Sequence, residues 1–94
     1  MMSDIPIDLS KINKASNDKE ILRVGIIAEL DAINLYEQLA ENTENMDIKK
    51  VILDIAKEEK THVGEFQALL LNLDKQQFAE LEAGKKEVEK ELKD

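Results

Sequence analysis

Apolar residues recur in steps of three and four along two long stretches of the chain, which is the spacing of one face of an α-helix. The stripe of the second stretch consists of Ile48, Ile52, Ile55, Glu59, His62, Phe66, Leu69 and Leu73. The stripe of the first stretch consists of Leu22, Ile26, Glu29, Ile33, Tyr36 and Ala40. Ionisable residues interrupt both stripes, and an uncompensated carboxylate facing a core is costly. The pattern therefore predicts two helices that share a buried polar site, for which a metal ion is the simplest occupant.

A turn separates the two predicted helices. Residues Glu41 to Asp47 include asparagine, threonine and aspartate, whose side chains compete with helical backbone hydrogen bonds. Before the first helix, Asn17 followed by Glu20 has the form of a capping box. We therefore predict an antiparallel hairpin over residues 17–73 and, after a second break, a C-terminal helix over residues 76–93.

The remaining residues, 1–16, contain the only proline and apolar residues without a long period, and we predict an N-terminal arm there. All 94 residues then form one small domain. A second set of apolar residues lies off the main stripe of the first helix, at Val24, Ile27, Leu30, Leu35 and Leu39. A helix that is apolar almost all round needs more than one neighbour, so we also predict an oligomer.

Composition narrows the class of protein. Hydrophobic residues make up 43% of the chain and aromatic residues only 3%, which is typical of an all-α fold. The formal net charge of −8 argues against nucleic acid or an anionic membrane surface as a partner. Because the sequence has no cysteine, any metal must be held by oxygen and nitrogen. We see neither a membrane span nor a signal peptide, and so expect a cytoplasmic protein.

Glu29, Glu59 and His62 are the candidate metal ligands. In a hairpin whose turn is centred near residue 45, facing residues have numbers that sum to about 90. Glu29 meets this condition with both Glu59 and His62, to within about two residues. The Glu-x-x-His spacing places both side chains on one helix face. One chain thus supplies half of the four-carboxylate, two-histidine di-iron site of ferritin-like bundles, and a two-fold dimer would complete a four-helix bundle with the full ligand set.

Two motifs carry a resemblance to a known family, namely Glu29-Leu30-Asp31-Ala32 with Tyr36, and Glu58-Glu59-Lys60-x-His62. On these motifs the chain resembles the encapsulated ferritins of the ferritin-like superfamily, over roughly residues 20–75. The resemblance implies a ferroxidase that oxidises Fe(II) to Fe(III), with O2 or a peroxide as acceptor, at a di-iron centre shared between subunits. It also implies homodimers assembled into a decameric ring inside an encapsulin nanocompartment, where the oxidised iron is mineralised and stored.

Matched residue by residue, the resemblance implies roles for five side chains. Glu29, Glu59 and His62 are the implied metal ligands, and Tyr36 is the implied group beside the metals. Asp31 stands where relatives have a carboxylate that attracts incoming iron. From the residues alone, Tyr36 is equally well a core residue with a buried hydroxyl, and Asp31 a surface charge.

The chain also departs from the pattern of the family. Ala28 stands in place of a further acidic residue and Leu35 in place of an aromatic one, which implies a weaker or differently placed route for iron. The printed sequence ends in a charged helix without a Gly-Ser-Leu-like cargo tail. We interpret this ending as either a shortened chain or a domain fused to a shell protein.

Two other functions stay open on the sequence. A rubrerythrin-like peroxidase is disfavoured because that family usually carries both ligand sets in one chain, together with a cysteine-ligated iron. A non-catalytic assembly module would use Glu59 and His62 as a metal-free buried polar network that sets the register of the helices.

Overall fold

The computed structural model describes residues 17–93, which form three α-helices. In chain order these are α1 (Asn17–Glu41), α2 (Met46–Leu73) and α3 (Lys75–Lys93). No strand occurs in this range, so the all-α prediction of a two-helix hairpin followed by a C-terminal helix is confirmed. The predicted arm over residues 1–16 lies outside the described residues.

The helices α1 and α2 pack against each other as an antiparallel hairpin. An ion pair joins them, Lys60 with Glu37 at 3.0 Å, and a second one joins α1 to the residue that follows α2, Arg23 with Asp74 at 2.9 Å. The 28 residues of α2 correspond to about 42 Å at 1.5 Å per residue. The hairpin is therefore long and narrow, and each helix buries one side only against its neighbour.

The turn of the hairpin is shorter than the predicted range of residues 41–47, because Asn45 caps the N-terminus of α2. Its side-chain oxygen accepts hydrogen bonds from the backbone N–H groups of Asp47 at 3.0 Å and Ile48 at 3.1 Å. These two donors would otherwise lack a partner in the first turn of the helix. As a result α2 begins at Met46.

The buried core of the hairpin is small. Among the described residues its buried hydrophobic side chains are Ile33 and Ala40 on α1, and Ala56 and Leu70 on α2. The two α1 residues belong to the predicted stripe of that helix. Ala56 and Leu70 lie outside the predicted α2 stripe, whose members Ile52 and Phe66 are half-buried, so the core face of α2 is rotated only in part from the predicted one.

Several members of the predicted α2 stripe consequently lie at the edge of the hairpin. Ile48, Leu69 and Leu73 are each about half exposed. The physical reason is that α2 is apolar over a wider arc than α1 alone can cover. Ile27 and Leu30 on α1 are also exposed, so the hairpin presents apolar surface beside its core.

A single residue, Asp74, separates α2 from α3. Its backbone N–H donates to the Leu70 carbonyl at 2.9 Å and closes α2, while its Oδ1 accepts from the Gln77 N–H at 3.0 Å in the first turn of α3. Helix α3 makes few contacts with α2 and has no buried residue. Its large apolar residues are exposed, and they are Phe78, Leu81, Val88 and Leu92. None of the three helices of residues 17–93 combines the length and apolar character that crossing a bilayer requires.

Candidate metal centre

Three metal-ligating side chains converge between α1 and α2. Glu29 comes from α1, and Glu59 and His62 come from α2, and one ligand atom of each lies within 4.8 Å of the others. His62 Nδ1 is 3.4 Å from Glu59 Oε2 and 3.5 Å from Glu29 Oε2. The structure thus places all three at one level of the hairpin, as predicted from the positions that face each other across the turn.

Local packing explains why these side chains point towards one another. Glu29 lies four residues before the buried Ile33, and Glu59 lies three residues after the buried Ala56, so both carboxylates share the faces that form the core. His62 follows Glu59 by one further step of three residues. Because three residues fall short of a full turn of the helix, the side chain of His62 lies towards the edge of the contact between α1 and α2.

The burial of the three side chains is unequal. Glu29 and Glu59 each expose 19% of the side chain, whereas His62 exposes 44%. The prediction that Glu59 and His62 both point into a core therefore holds in part for Glu59, which is mostly but not fully buried, and is wrong for His62 within one chain. His62 lies at the rim, on the same edge of the hairpin as the exposed Leu69.

One oxygen of the cluster has no hydrogen-bond partner. Glu29 Oε2 is buried and forms no hydrogen bond, although His62 Nδ1 lies 3.5 Å away, and among the described residues it is the only buried side-chain atom of this kind. A buried carboxylate oxygen without a hydrogen bond costs free energy. Two carboxylates can carry two negative charges and one imidazole at most one positive charge, so the cluster does not neutralise itself. Two carboxylate oxygens and an imidazole nitrogen fit a first-row divalent metal ion.

The cluster is open on one side. A cavity of about 250 Å³ lies next to it and is lined by Glu29, His62, Glu65, Phe66 and Leu69. Because three ligands from one chain leave coordination positions vacant for any common metal, the open side offers room for donors from another molecule.

Tyr36 and Asp31 do not belong to the ligand group that the structure brings together. Both are half-buried on α1. Tyr36 lies seven residues from Glu29, or about 10 Å along the axis, and Asp31 lies two residues away and so points to another side of α1. Their roles beside the metals and in attracting iron stay predictions.

Sequence reasoning did not single out Gly25, which makes room for the ring of Phe66 at the cavity. The available signal was a glycine inside an otherwise strongly helical segment, which usually has a packing reason.

The comparisons with known proteins agree with this architecture. A family model described as rubrerythrin matches residues 20–93. Over 73 residues, 78% of this chain, the sequence is 64% identical to a ferritin-like–encapsulin shell fusion protein of Pyrococcus furiosus. Over 73 residues, 74% of this chain, it is 37% identical to the encapsulin nanocompartment cargo protein EncC of Myxococcus xanthus.

A solved structure is similar over nearly the whole chain. The crystal structure of the encapsulated ferritin domain from Pyrococcus furiosus matches with a TM-score of 0.76 and 51% sequence identity, and the match covers 96% of this chain and 86% of that one. The resemblance to encapsulated ferritins inferred from the two sequence motifs is thereby confirmed. The chain spans 21% of the length of the shell fusion protein and 56% of that of EncC.

Proposed function

The chain belongs to the rubrerythrin family, and from that membership we propose that it is a ferroxidase, which oxidises Fe(II) to Fe(III) at a site formed between two copies of the chain. The observation that carries this proposal is the convergence of Glu29, Glu59 and His62, with Glu29 Oε2 buried and without a hydrogen bond. A cation at this point would satisfy that oxygen and offset the negative charge of the two carboxylates.

A second copy completes the site in this proposal. Ferritin-like di-iron sites use four carboxylates and two histidines, and one chain supplies two carboxylates and one histidine. Two-fold pairing doubles this set and brings the open sides of two clusters together. The half exposure of His62 and the exposed Leu69 on the same edge support this arrangement, because both would be covered by a partner.

The side chains of the cluster bind and orient the substrate Fe(II). Glu29 and Glu59 attract the cation by charge, and His62 presents Nδ1 towards both carboxylates. Carboxylate oxygens are hard ligands that favour Fe(III) over Fe(II), so the ligand set promotes loss of an electron. Two iron ions bound together supply the two electrons that reduce O2 to peroxide. We assign Tyr36 a place beside the iron pair and Asp31 the attraction of incoming Fe(II).

Encapsulin is the proposed partner. The relatives named above are a fusion to an encapsulin shell and an encapsulin cargo protein, and we propose that this chain also works inside an encapsulin nanocompartment. There its dimers assemble into a decameric ring. A two-helix hairpin encloses no volume in which a mineral could grow, so we assign storage of the oxidised iron to the shell.

The adjacent carboxylates Glu58 and Glu59 provide a matched test. Fe(II) is mixed with the protein without air, oxygen is admitted, and the absorbance of ferric iron is followed. We expect Glu59→Gln to slow oxidation by roughly tenfold or more, since loss of even an outer-shell partner commonly has that effect. Glu58→Gln changes the same charge on an exposed side chain and should oxidise iron like the wild type.

Equal rates for the wild type and Glu59→Gln would show that the cluster is not the site of oxidation. Repeating the assay with hydrogen peroxide and an organic electron donor examines the peroxidase alternative. Sustained peroxide turnover without net consumption of Fe(II) would favour that alternative.

A further inference from the structure

The ring of Phe66 lies against α1 where Gly25 has no side chain. A Cβ atom added at Gly25 would come within 3.0 Å of Phe66 Cε1 and within 3.1 Å of Cδ1 and Cζ. Carbon atoms in favourable contact are about 3.5–4.0 Å apart. The ring therefore occupies space that any larger residue at position 25 would take.

This contact lies next to the ligand cluster. Gly25 precedes Glu29 by four residues on α1, and Phe66 follows His62 by four residues on α2, so each pair shares a helix face one turn apart. Phe66 also lines the cavity of about 250 Å³ onto which Glu29 and His62 open. The position of the ring thus affects both the separation of the helices beside the ligands and one wall of the cavity.

The close approach is specific to Gly25. An added Cβ would meet nothing within 4 Å at either Gly64 or Gly84. Glycine is a poor helix former compared with alanine, and at Gly25 the packing of Phe66 provides a reason for it. Gly64 lies two residues from His62 in an open position and is a matched control.

We propose that Gly25 is a positioning residue for the metal site, acting through the ring of Phe66; the inference rests on the proposed function. The absence of a side chain at Gly25 lets the ring lie flat against α1 and keeps it out of the space beside His62. Alanine at position 25 pushes the ring by several tenths of an ångström towards the cavity. The imidazole of His62, whose Nδ1 is 3.4 Å and 3.5 Å from the two carboxylates, then shifts relative to them.

The test uses Co(II) as a spectroscopic probe bound to the full chain. We expect Gly25→Ala to weaken Co(II) binding by roughly tenfold, in the range found for residues that orient ligands, and to change its visible absorption spectrum. Gly64→Ala should leave both unchanged. The double variant Gly25→Ala/Phe66→Leu should regain the wild-type spectrum, because the smaller side chain leaves room for the added methyl group.

A second readout needs no metal. His62 is the only histidine, so its ring protons give a single set of histidine signals in the NMR spectrum. We expect Gly25→Ala to shift these signals more than Gly64→Ala does. A role in folding alone would change the melting temperature without changing the Co(II) spectrum.

The inference is overturned if Gly25→Ala and Gly64→Ala have the same Co(II) affinity and spectrum, or if Phe66→Leu does not restore the double variant. Should Gly25→Ala lose its helical circular dichroism, the double variant is compared with Phe66→Leu instead. Because Gly25 acts through the ring of Phe66, we expect the same Co(II) affinity and the same His62 signals in both, and weaker Co(II) binding in the double variant would overturn the inference. Failure of the proposed function is distinct, because wild type and Glu59→Gln would then oxidise Fe(II) at the same rate, whatever the Co(II) spectra of the Gly25 variants.

Discussion

At the scale of single residues, the carboxylate of Asp74 contacts both the start of α3 and a cation on α1. Its Oδ1 accepts from the Gln77 N–H at 3.0 Å, and its Oδ2 accepts from Arg23 Nη2 at 2.9 Å. The hydrogen bonds from the Gln77 backbone and the Arg23 side chain, together with the charges of Lys19 and Arg23, lower the pKa of Asp74 below its ordinary value of 3.8. The ionised form is thus favoured in the folded chain.

The lowered pKa of Asp74 predicts an acid-dependent loss of stability. A carboxylate with a lower pKa in the folded chain stabilises it above the unfolded pKa, and this contribution disappears as pH falls from about 3.8 through the folded value. We expect Asp74→Asn to lower the melting temperature at neutral pH and to match the wild type in strong acid. Circular dichroism melts across pH measure this, with Asp54→Asn on the exposed face of α2 as control. A constant difference between wild type and Asp74→Asn at every pH would contradict this linkage.

At the scale of elements, α2 has two apolar faces that differ in burial. One face, which includes Ala56 and Leu70, is buried against α1. The other, which includes Ile48, Leu69 and Leu73, is about half exposed in the single chain. Residues of the two faces are neighbours in sequence, such as Leu69 and Leu70. Successive side chains point about 100° apart around the helix axis, and this rotation places one neighbour against α1 and the other at the surface.

The adjacent residues Leu69 and Leu70 test this division. Leu70 is 5% exposed and Leu69 is 55% exposed. We expect Leu70→Ala to lower the free energy of unfolding by about 2–5 kcal/mol, and Leu69→Ala to change it by at most about 0.5 kcal/mol in metal-free monomer. Urea denaturation in the presence of a chelator measures both. Equal losses in the two variants would mean that α2 packs on α1 through a different face.

At the scale of the whole molecule, the net charge opposes association, and metal binding at the proposed shared site would favour it. Two copies of a chain with a net charge of −8 repel each other. The proposed shared site adds cations where four carboxylates meet, and so removes part of that repulsion. A ligand that binds only the dimer also stabilises it by mass action.

Association should therefore depend on metal. We expect Co(II), or Fe(II) without oxygen, to convert monomer to dimer or larger species in sedimentation velocity, and a chelator to reverse the change. Glu59→Gln should respond much less than Glu58→Gln, whose altered side chain is exposed. An oligomer that is insensitive to chelator and free of metal in native mass spectrometry would instead favour the metal-free assembly module.

Much of the fold could be predicted from local patterns. The three-to-four spacing of apolar residues predicts α1 and α2, and the residues around Asn45 predict the turn between them. Because an antiparallel hairpin relates positions by simple counting, Glu29 could be placed opposite Glu59 and His62 before any coordinates were considered. The break between α2 and α3 was predicted too wide, because the hydrogen bonds of Asp74 let one residue end the first helix and start the next.

The sequence by itself determined the helices, their antiparallel pairing and the level at which the candidate ligands meet, because helical periodicity and turn chemistry are local properties. Only the tertiary structure decided which of two adjacent apolar faces of α2 packs on α1. Both faces are hydrophobic enough to be buried. The buried one carries Ala56, which like Ala40 is 2% exposed, and periodicity alone does not distinguish a position where only a small side chain fits between two helices. The same packing places His62 at the rim and Phe66 against Gly25, since these positions depend on the rotation of one helix against the other.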